Sequence, residues 1–331
     1  GLLLLPQLSV RLFAVVVAVY LTLLVTVEAV NATLYGRMRR WGAFFPAMAA
    51  AAGGTGLFVL IVFVPALRDA ALRYTAALLL TVFGTGLVCD VLALTIRSRR
   101  VRRVLGSIRV ALPDLMSLFL PQRTADVLPR APLGPVPQQG TEEFELLFQT
   151  SAHGIGLVGH CELCFDGRTL TYGAYDPAHQ RLLRTVGAGI VFSAPREPYL
   201  RWCIGTHHRR VISYSLRLPP AQAAQLRAEL ERFRQTLSPW QPEALPEDCF
   251  AGRLRRLGGV RFWRVQRGPY ATYFIPTINC VSLTNKLLEK TDIGRTVMLG
   301  LKTPGAYLDL LEREYLAGNP AVTARRVYDR I

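Results

Sequence analysis

Three apolar runs in the first third of the chain, Leu8 to Val30, Gly42 to Ala66 and Tyr74 to Ile96, constrain its fold more than any other feature. Each is long enough to cross about 30 Å of hydrocarbon as a helix, the element that satisfies its own backbone polar groups where no water is available. The same region is almost free of carboxylates: residues 1–110 hold only Glu28, Asp69 and Asp90 of the chain's 23 acidic residues. The first run exceeds the apolar core of a signal sequence and has no convincing small-x-small cleavage pattern after it, so it reads as a retained helix. Gly53, Gly54 and Gly56 read as points of close helix packing rather than as a pore lining. The expectation is a membrane domain of three transmembrane helices over residues 1–103.

Arginine placement assigns the sides. Arg37, Arg39, Arg40, Arg97, Arg99, Arg100, Arg102 and Arg103 fall on one side of three spans, against Arg11, Arg68 and Arg73 on the other. The positive-inside rule then puts everything after the third span of this multi-pass protein in the cytoplasm. The net charge of +16 is arginine-based, since only Lys286, Lys290 and Lys302 among 39 basic residues are lysines. Beside so much apolar sequence, anionic phospholipid is the better counter-charge than nucleic acid. Six cysteines are too sparse for a disulfide scaffold.

Residues 104–140 read as a connector: an apolar face over 104–120, broken by Pro113, suits the bilayer surface, and Pro121, Pro129, Pro132, Pro135 and Pro137 mark an extended linker. From about Thr141 to residue 331 the pattern changes to short strands punctuated by glycine, FELLFQT, GIGLVGHCELCF, TLTYGAY, GAGIVFS and RRVISYSLRL, with a hairpin signal at Asp166-Gly167. A helix follows Pro219-Pro220, the segment ATYFIPTINCVSLTNKLLEKTDI turns from strand to helix near Cys280, and a last helix covers about Ala306 to Ala317. This mixture predicts an α+β domain built on one sheet.

Cys280 follows Asn279 at the start of a predicted helix, where unpaired N–H groups and the helix dipole favour a thiolate and can receive an oxyanion. His160, in the apolar strand GLVGHCELCF, is the best placed of five histidines to act as its base. A zinc site from His160, Cys161, Cys164, Cys203, His207 and His208 is the weaker reading, because Cys161 and Cys164 would face opposite sides of a strand. His207, His208, Arg209 and Arg210 read as a solvated or lipid-facing basic edge. Arg253, Arg255, Arg256, Arg261, Arg264 and Arg267, interleaved with Phe262 and Trp263, read as an amphipathic surface meeting acidic headgroups rather than nucleic acid.

The run FELLFQTSAHGIGLVGHCELCFDGRTLTYGAYDP, then LPPAQAAQLRAELERF and YFIPTINCVSLTNKLL, resembles the periplasmic domain of Lnb-type lipoprotein N-acyltransferases over about residues 145–295. It is similar, more distantly, to circularly permuted papain-like enzymes of the NlpC and lecithin-retinol acyltransferase groups, which share a histidine on an early strand and a cysteine heading a late helix. The specific elements are Gly159-His160, Tyr172-Gly173 and Asn279-Cys280. The resemblance implies a permuted papain-like fold, Cys280 as nucleophile and His160 as base, with Tyr172 standing where relatives place the residue that orients the ring; Thr171 is the other polar residue there. Asn279 joins the oxyanion and substrate region. The family places its domain in the periplasm, against the cytoplasmic side that the arginine count indicates.

The implied reaction is ping-pong acyl transfer from a membrane phospholipid through a thioester, with a lipoprotein N-terminus as acceptor and neither metal nor cofactor required. The same dyad with water or a peptide would be a thiol hydrolase, amidase or peptidase. A domain that has lost activity would be a lipid- or protein-binding module.

Overall fold

The computed structural model describes residues 6–95, 128, 130–131, 143–150, 159–241, 249–291 and 303–329. The predicted surface segment 104–120, the arginines between 97 and 103 and most of the linker lie outside these residues. The chain forms two compact units, Gly1–Leu94 and Thr95–Ile331.

The first unit is helical: α1 (Pro6–Arg37), α2 (Trp41–Phe63) and α3 (Pro65–Thr95). Among the described residues two helices are long and apolar enough to cross a bilayer, Val10–Arg37 and Trp41–Phe63. The third predicted run, as far as Thr95, is part of α3. Hydroxyls in these helices bond back to the preceding turn, as Thr22 does to the Ala18 carbonyl at 2.8 Å, which keeps them satisfied in apolar surroundings. Only one of the three predicted packing glycines acts as such. A β-carbon at Gly54 would meet Val25 Cγ2 at 2.8 Å, whereas at Gly53 and Gly56 it would meet nothing within 4 Å. Pro65 starts a new helix after α2, and the Arg68 guanidinium donates to the Ile61 and Val62 carbonyls at 2.7 and 3.0 Å, capping groups the break leaves open.

The second unit is α+β. Its main sheet joins β1 (Glu143–Thr150), β2 (His160–Phe165), β3 (Arg168–Gly173), β5 (Ile190–Pro195), β6 (Arg210–Arg217), β7 (Leu237–Pro239), β8 (Arg261–Val265) and β10 (Val322–Tyr328). The order is β10-β6-β1-β2-β3-β5-β8-β7. Neighbouring strands are antiparallel throughout. A separate ribbon pairs β4 (Val186–Ala188) with β9 (Thr272–Phe274), so the single predicted sheet is two. The β2–β3 turn is as expected from Asp-Gly: Asp166 and Gly167 both have positive φ, 49° and 70°, which matches the twist of a tight hairpin.

Helices cover both faces. On one, α5 (Pro220–Arg234), α7 (Cys280–Leu288) and α8 (Pro304–Leu316) bury Leu226, Leu283 and Leu308 against Leu146, Phe148, Leu163 and Tyr214. On the other, α4 (Arg196–His207) and α6 (Phe250–Arg255) set Tyr199, Leu200 and Leu254 against Leu147, Cys164, Ile190 and Phe192. Seven of the eight residues of β1 are consequently buried, which is why FELLFQT lacks the polar alternation of a half-exposed strand. Its one buried carboxylate on the α4 side, Glu145, accepts from Arg196 and from Ser213 Oγ at 2.8 Å.

Three local features have simple physical causes. The predicted basic edge at His207–Arg210 is the end of α4 and the start of β6; His208 adopts the left-handed C-cap with φ 51°. Part of the predicted linker is not free: the Ala131 N–H donates to the Val327 carbonyl at 2.7 Å, extending the β10 edge. Gly189 sits where a β-carbon would come within 2.0 Å of the Tyr270 carbonyl oxygen, so only glycine permits this approach between β5 and the loop before β9.

Candidate active site

The site forms where the N-terminus of α7 meets the first residues of β2. Asn279 caps the helix in a full capping box: its Oδ1 accepts the Ser282 N–H at 2.9 Å, and Ser282 Oγ accepts the Asn279 N–H at 2.9 Å. Its Nδ2 donates to the Ile275 carbonyl at 2.7 Å. With both ends of the amide held in this way, Asn279 positions the helix; this corrects the expectation of an oxyanion or substrate contact from its side chain.

Cys280 is the first residue of α7, 3 % exposed, and its Sγ accepts the Cys161 N–H at 3.4 Å. The thiol therefore lies one residue along β2 from His160, although the two are 120 positions apart in sequence. The amides of Cys161, Val281 and Cys280 favour the thiolate, but burial outweighs them and pushes the thiol up to about 11. The predicted thiolate is overturned by desolvation: the sulfur rests as a neutral thiol.

His160 is held from its far side. Its Nε2 is 2.7 Å from Thr171 Oγ1 and 3.1 Å from Tyr175 OH, and those hydroxyls are 3.0 Å from each other. The ring keeps 16 % exposure, and its Nδ1 makes no hydrogen bond among the described residues. No hydrogen bond joins it to Cys280 among the described residues either: His160 lies on the face of β2 that carries Glu162 and Cys164, whereas Cys280 packs with Cys161 and Tyr172 on the α7 face, so the predicted couple meets at one strand with its two side chains on opposite faces. Burial, then the Arg209 charge, lowers the imidazole to about 3, so it is neutral.

Tyr172 is not the residue that orients this ring. Its hydroxyl donates to the Tyr270 and Thr272 carbonyls at 2.9 and 3.2 Å, on the α7 face of the sheet. Successive residues of a strand face opposite ways, so Thr171 and not Tyr172 shares a face with His160.

Behind the ring lies a polar cluster that the sequence alone did not single out. Glu162 Oε1 is 3.9 Å from His160 Nε2 and accepts from Tyr199 OH at 2.6 Å, while Oε2 accepts from Gln149 Nε2 at 2.7 Å. Arg209 donates to Gln149 Oε1 at 3.2 Å. Burial raises the Glu162 carboxyl to about 7 against the opposing pull of these donors. Its sequence signal was alternation: His160 and Glu162 are two apart in one strand and so share a face.

The weaker zinc reading fails on geometry. Cys161 packs with Cys280 and Tyr172, Cys164 packs with Leu147 and Leu200 on the other side, and Cys203 is buried beside Tyr199. The His207 ring lies against Trp202 and Phe250, with centroids 4.2 and 5.6 Å away. Among the described residues no group of three or more histidine, cysteine or carboxylate side chains could hold a metal ion.

No known protein family, curated protein or solved structure matches this chain in sequence or fold.

Proposed function

We propose that this chain is a membrane-anchored, cysteine-dependent acyltransferase acting on lipid or lipoprotein substrates through a thioester. The observation that carries the reading is the junction of Cys280, first residue of a capped helix, with the strand that starts at His160, whose ring is fixed through Nε2 and leaves Nδ1 uncommitted. A histidine on an early strand and a cysteine heading a late helix is also the order of permuted papain-like enzymes, the fold we assign to the second unit. The segment Tyr74 to Ile96 would be a third span of a bacterial inner-membrane protein, within reach of long-chain esters that stay in the bilayer.

The mechanism requires a rearrangement at the start of β2 that brings His160 Nδ1 round to the α7 face, where it takes the Cys280 proton as the sulfur attacks an ester carbonyl. The oxyanion is received by N–H groups at the start of α7, and the imidazolium returns its proton to the leaving alcohol. An amine then attacks the thioester and leaves as an amide. Because thiol and ring are both neutral at rest, proton transfer accompanies attack rather than preceding it.

A second reading, a non-catalytic lipid- or protein-binding module, is favoured by two observations: the sulfur is 3 % exposed, and Cys280 and His160 stand on opposite faces of β2. One experiment separates the two. Purified protein is incubated with phospholipid and weighed intact by mass spectrometry. The enzyme reading expects an acyl adduct that is absent from Cys280→Ala and released by an amine; no adduct under any phospholipid supports the module.

A further inference from the structure

At the hairpin end of β2 and β3, the end remote from His160, a cavity of about 390 Å³ opens between α5 and strands β7 and β8. Its walls include Phe165, Leu170, Leu230, Phe233, Leu237 and Trp263, all partly buried and all packed on the main core. A second cavity of about 540 Å³ shares Arg234, Arg261 and Trp263 with it and adds Trp240 and Arg255. The two are neighbours along one groove-like surface that shares these three residues, and the floor of the first is apolar because it is the flank of the core itself.

The rim has the opposite chemistry. Arg168 and Arg227 line the first cavity, Arg255 the second, and Arg234 and Arg261 both, against Asp166 and Glu231 as the carboxylates. Glu231 is 3.9 Å from Arg234, and the second cavity has no acidic residue. The Arg227 guanidinium lies 5.1 Å over the Phe165 ring, leaving cation and apolar surface side by side. Guanidinium pairs with phosphate oxygens in a planar, two-point fashion, while half-buried aromatic and leucine surface takes up hydrocarbon.

We infer that this groove binds a single anionic phospholipid, its phosphodiester on the Arg234–Arg261 rim and an acyl chain along Trp263 and the flank of the core. The site is separate from Cys280 and does not depend on thiol chemistry. A free phosphate could satisfy the rim alone; the apolar floor argues for a ligand that carries a chain.

The test uses the full chain as Trp41→Phe, reconstituted in phosphatidylcholine nanodiscs so that only the soluble tryptophans report. Lysophosphatidylglycerol with a brominated acyl chain is added below its micellar concentration. Saturable quenching is expected, lost in Trp240→Phe/Trp263→Phe and weakened at least about tenfold in R234E/R261E, whose side chains are exposed and leave the core unchanged. Equal quenching by brominated lysophosphatidylcholine, an unshifted curve in R234E/R261E, or full displacement by inorganic phosphate would each overturn the proposal. Because the readout is binding, its failure leaves the acyl-adduct experiment standing, and failure of that experiment leaves this one standing.

Discussion

Thr171 Oγ1 stands 2.7 Å from His160 Nε2, across two adjacent antiparallel strands. A hydroxyl at that position fixes the ring and, by engaging Nε2, leaves Nδ1 to handle a proton. Thr171→Val should lower acyl transfer by about tenfold to a hundredfold, at most the lower end of the roughly 10²–10⁴ that a positioned base supplies. Thr171→Ser should restore most of it. Tyr172→Phe should leave the rate within about threefold, because that hydroxyl serves the Tyr270 and Thr272 carbonyls instead. Turnover of a fluorescent phospholipid by the three variants checks this, and a Tyr172→Phe loss matching Thr171→Val would refute the assignment.

The buried thiol makes a prediction about rate against pH. With Cys280 pushed up to about 11, its alkylation by iodoacetamide should keep accelerating above pH 9, where an ordinary cysteine levels off. Mass-spectrometric counting of label at Cys280 in folded protein measures it, and a plateau near pH 8 would contradict a neutral resting thiol.

Glu162 gives a stability signature. Its folded-state value, about 7, lies above the unfolded value near 4.5, so the native state holds the proton more tightly and the contribution of this group falls as pH rises between those values. His160 and His207, lowered to about 3 and about 4, act in the opposite direction below 6.5. Relative to the parent, Glu162→Gln should therefore gain stability progressively from pH 4.5 to 7. Urea midpoints at intervals across that window test the slope, and a difference that shrinks with pH would reverse the sign argued here.

Removing the helix cap tests structure apart from chemistry. Asn279→Ala should cost about 1 kcal/mol, the usual worth of a side-chain cap, and Asn279→Asp should recover most of it. A drop in acyl transfer beyond what the loss of folded protein explains would return Asn279 to the substrate contacts from which its hydrogen bonds remove it.

Arg196 and Glu145 form a buried pair, 7 % and 3 % exposed, tied also to Tyr328 and Ser213. Arg196→Met should cost about 3–5 kcal/mol by leaving a buried carboxylate unpaired, and Glu145→Gln combined with it should recover a large part. Equilibrium unfolding of the single and double variants decides this; additive losses would mean that the two do not act as a pair.

Much of this architecture was legible where local chemistry dominates. FELLFQT, RRVISYSLRL and the Asp166-Gly167 hairpin were readable because strand propensity and turn stereochemistry are set by neighbours in sequence. The helix start at Cys280 was readable from Asn279 for the same reason. What could not be read depended on partners far along the chain. The helix REPYLRWCIGTH was not among the predicted elements, since its buried face is defined by its packing on β1 and β2 rather than by its own periodicity. Choosing between Thr171 and Tyr172 required knowing which face of β3 meets the histidine. The thiolate was expected from a helix terminus alone, and the sealed packing around Cys280 reverses that sign.

The close approach at Gly189 couples a residue with no chemistry of its own to the helix that Cys280 begins. The Tyr270 carbonyl that crowds it accepts from Tyr172, and the Tyr270 hydroxyl donates to the Ser282 carbonyl at 2.9 Å, two positions beyond Cys280 on the same helix. A methyl group at 189 would act as a wedge, shifting the loop and the helix it steadies. In a random mutagenesis screen the inert position 189 should then score among the null alleles, beside Cys280.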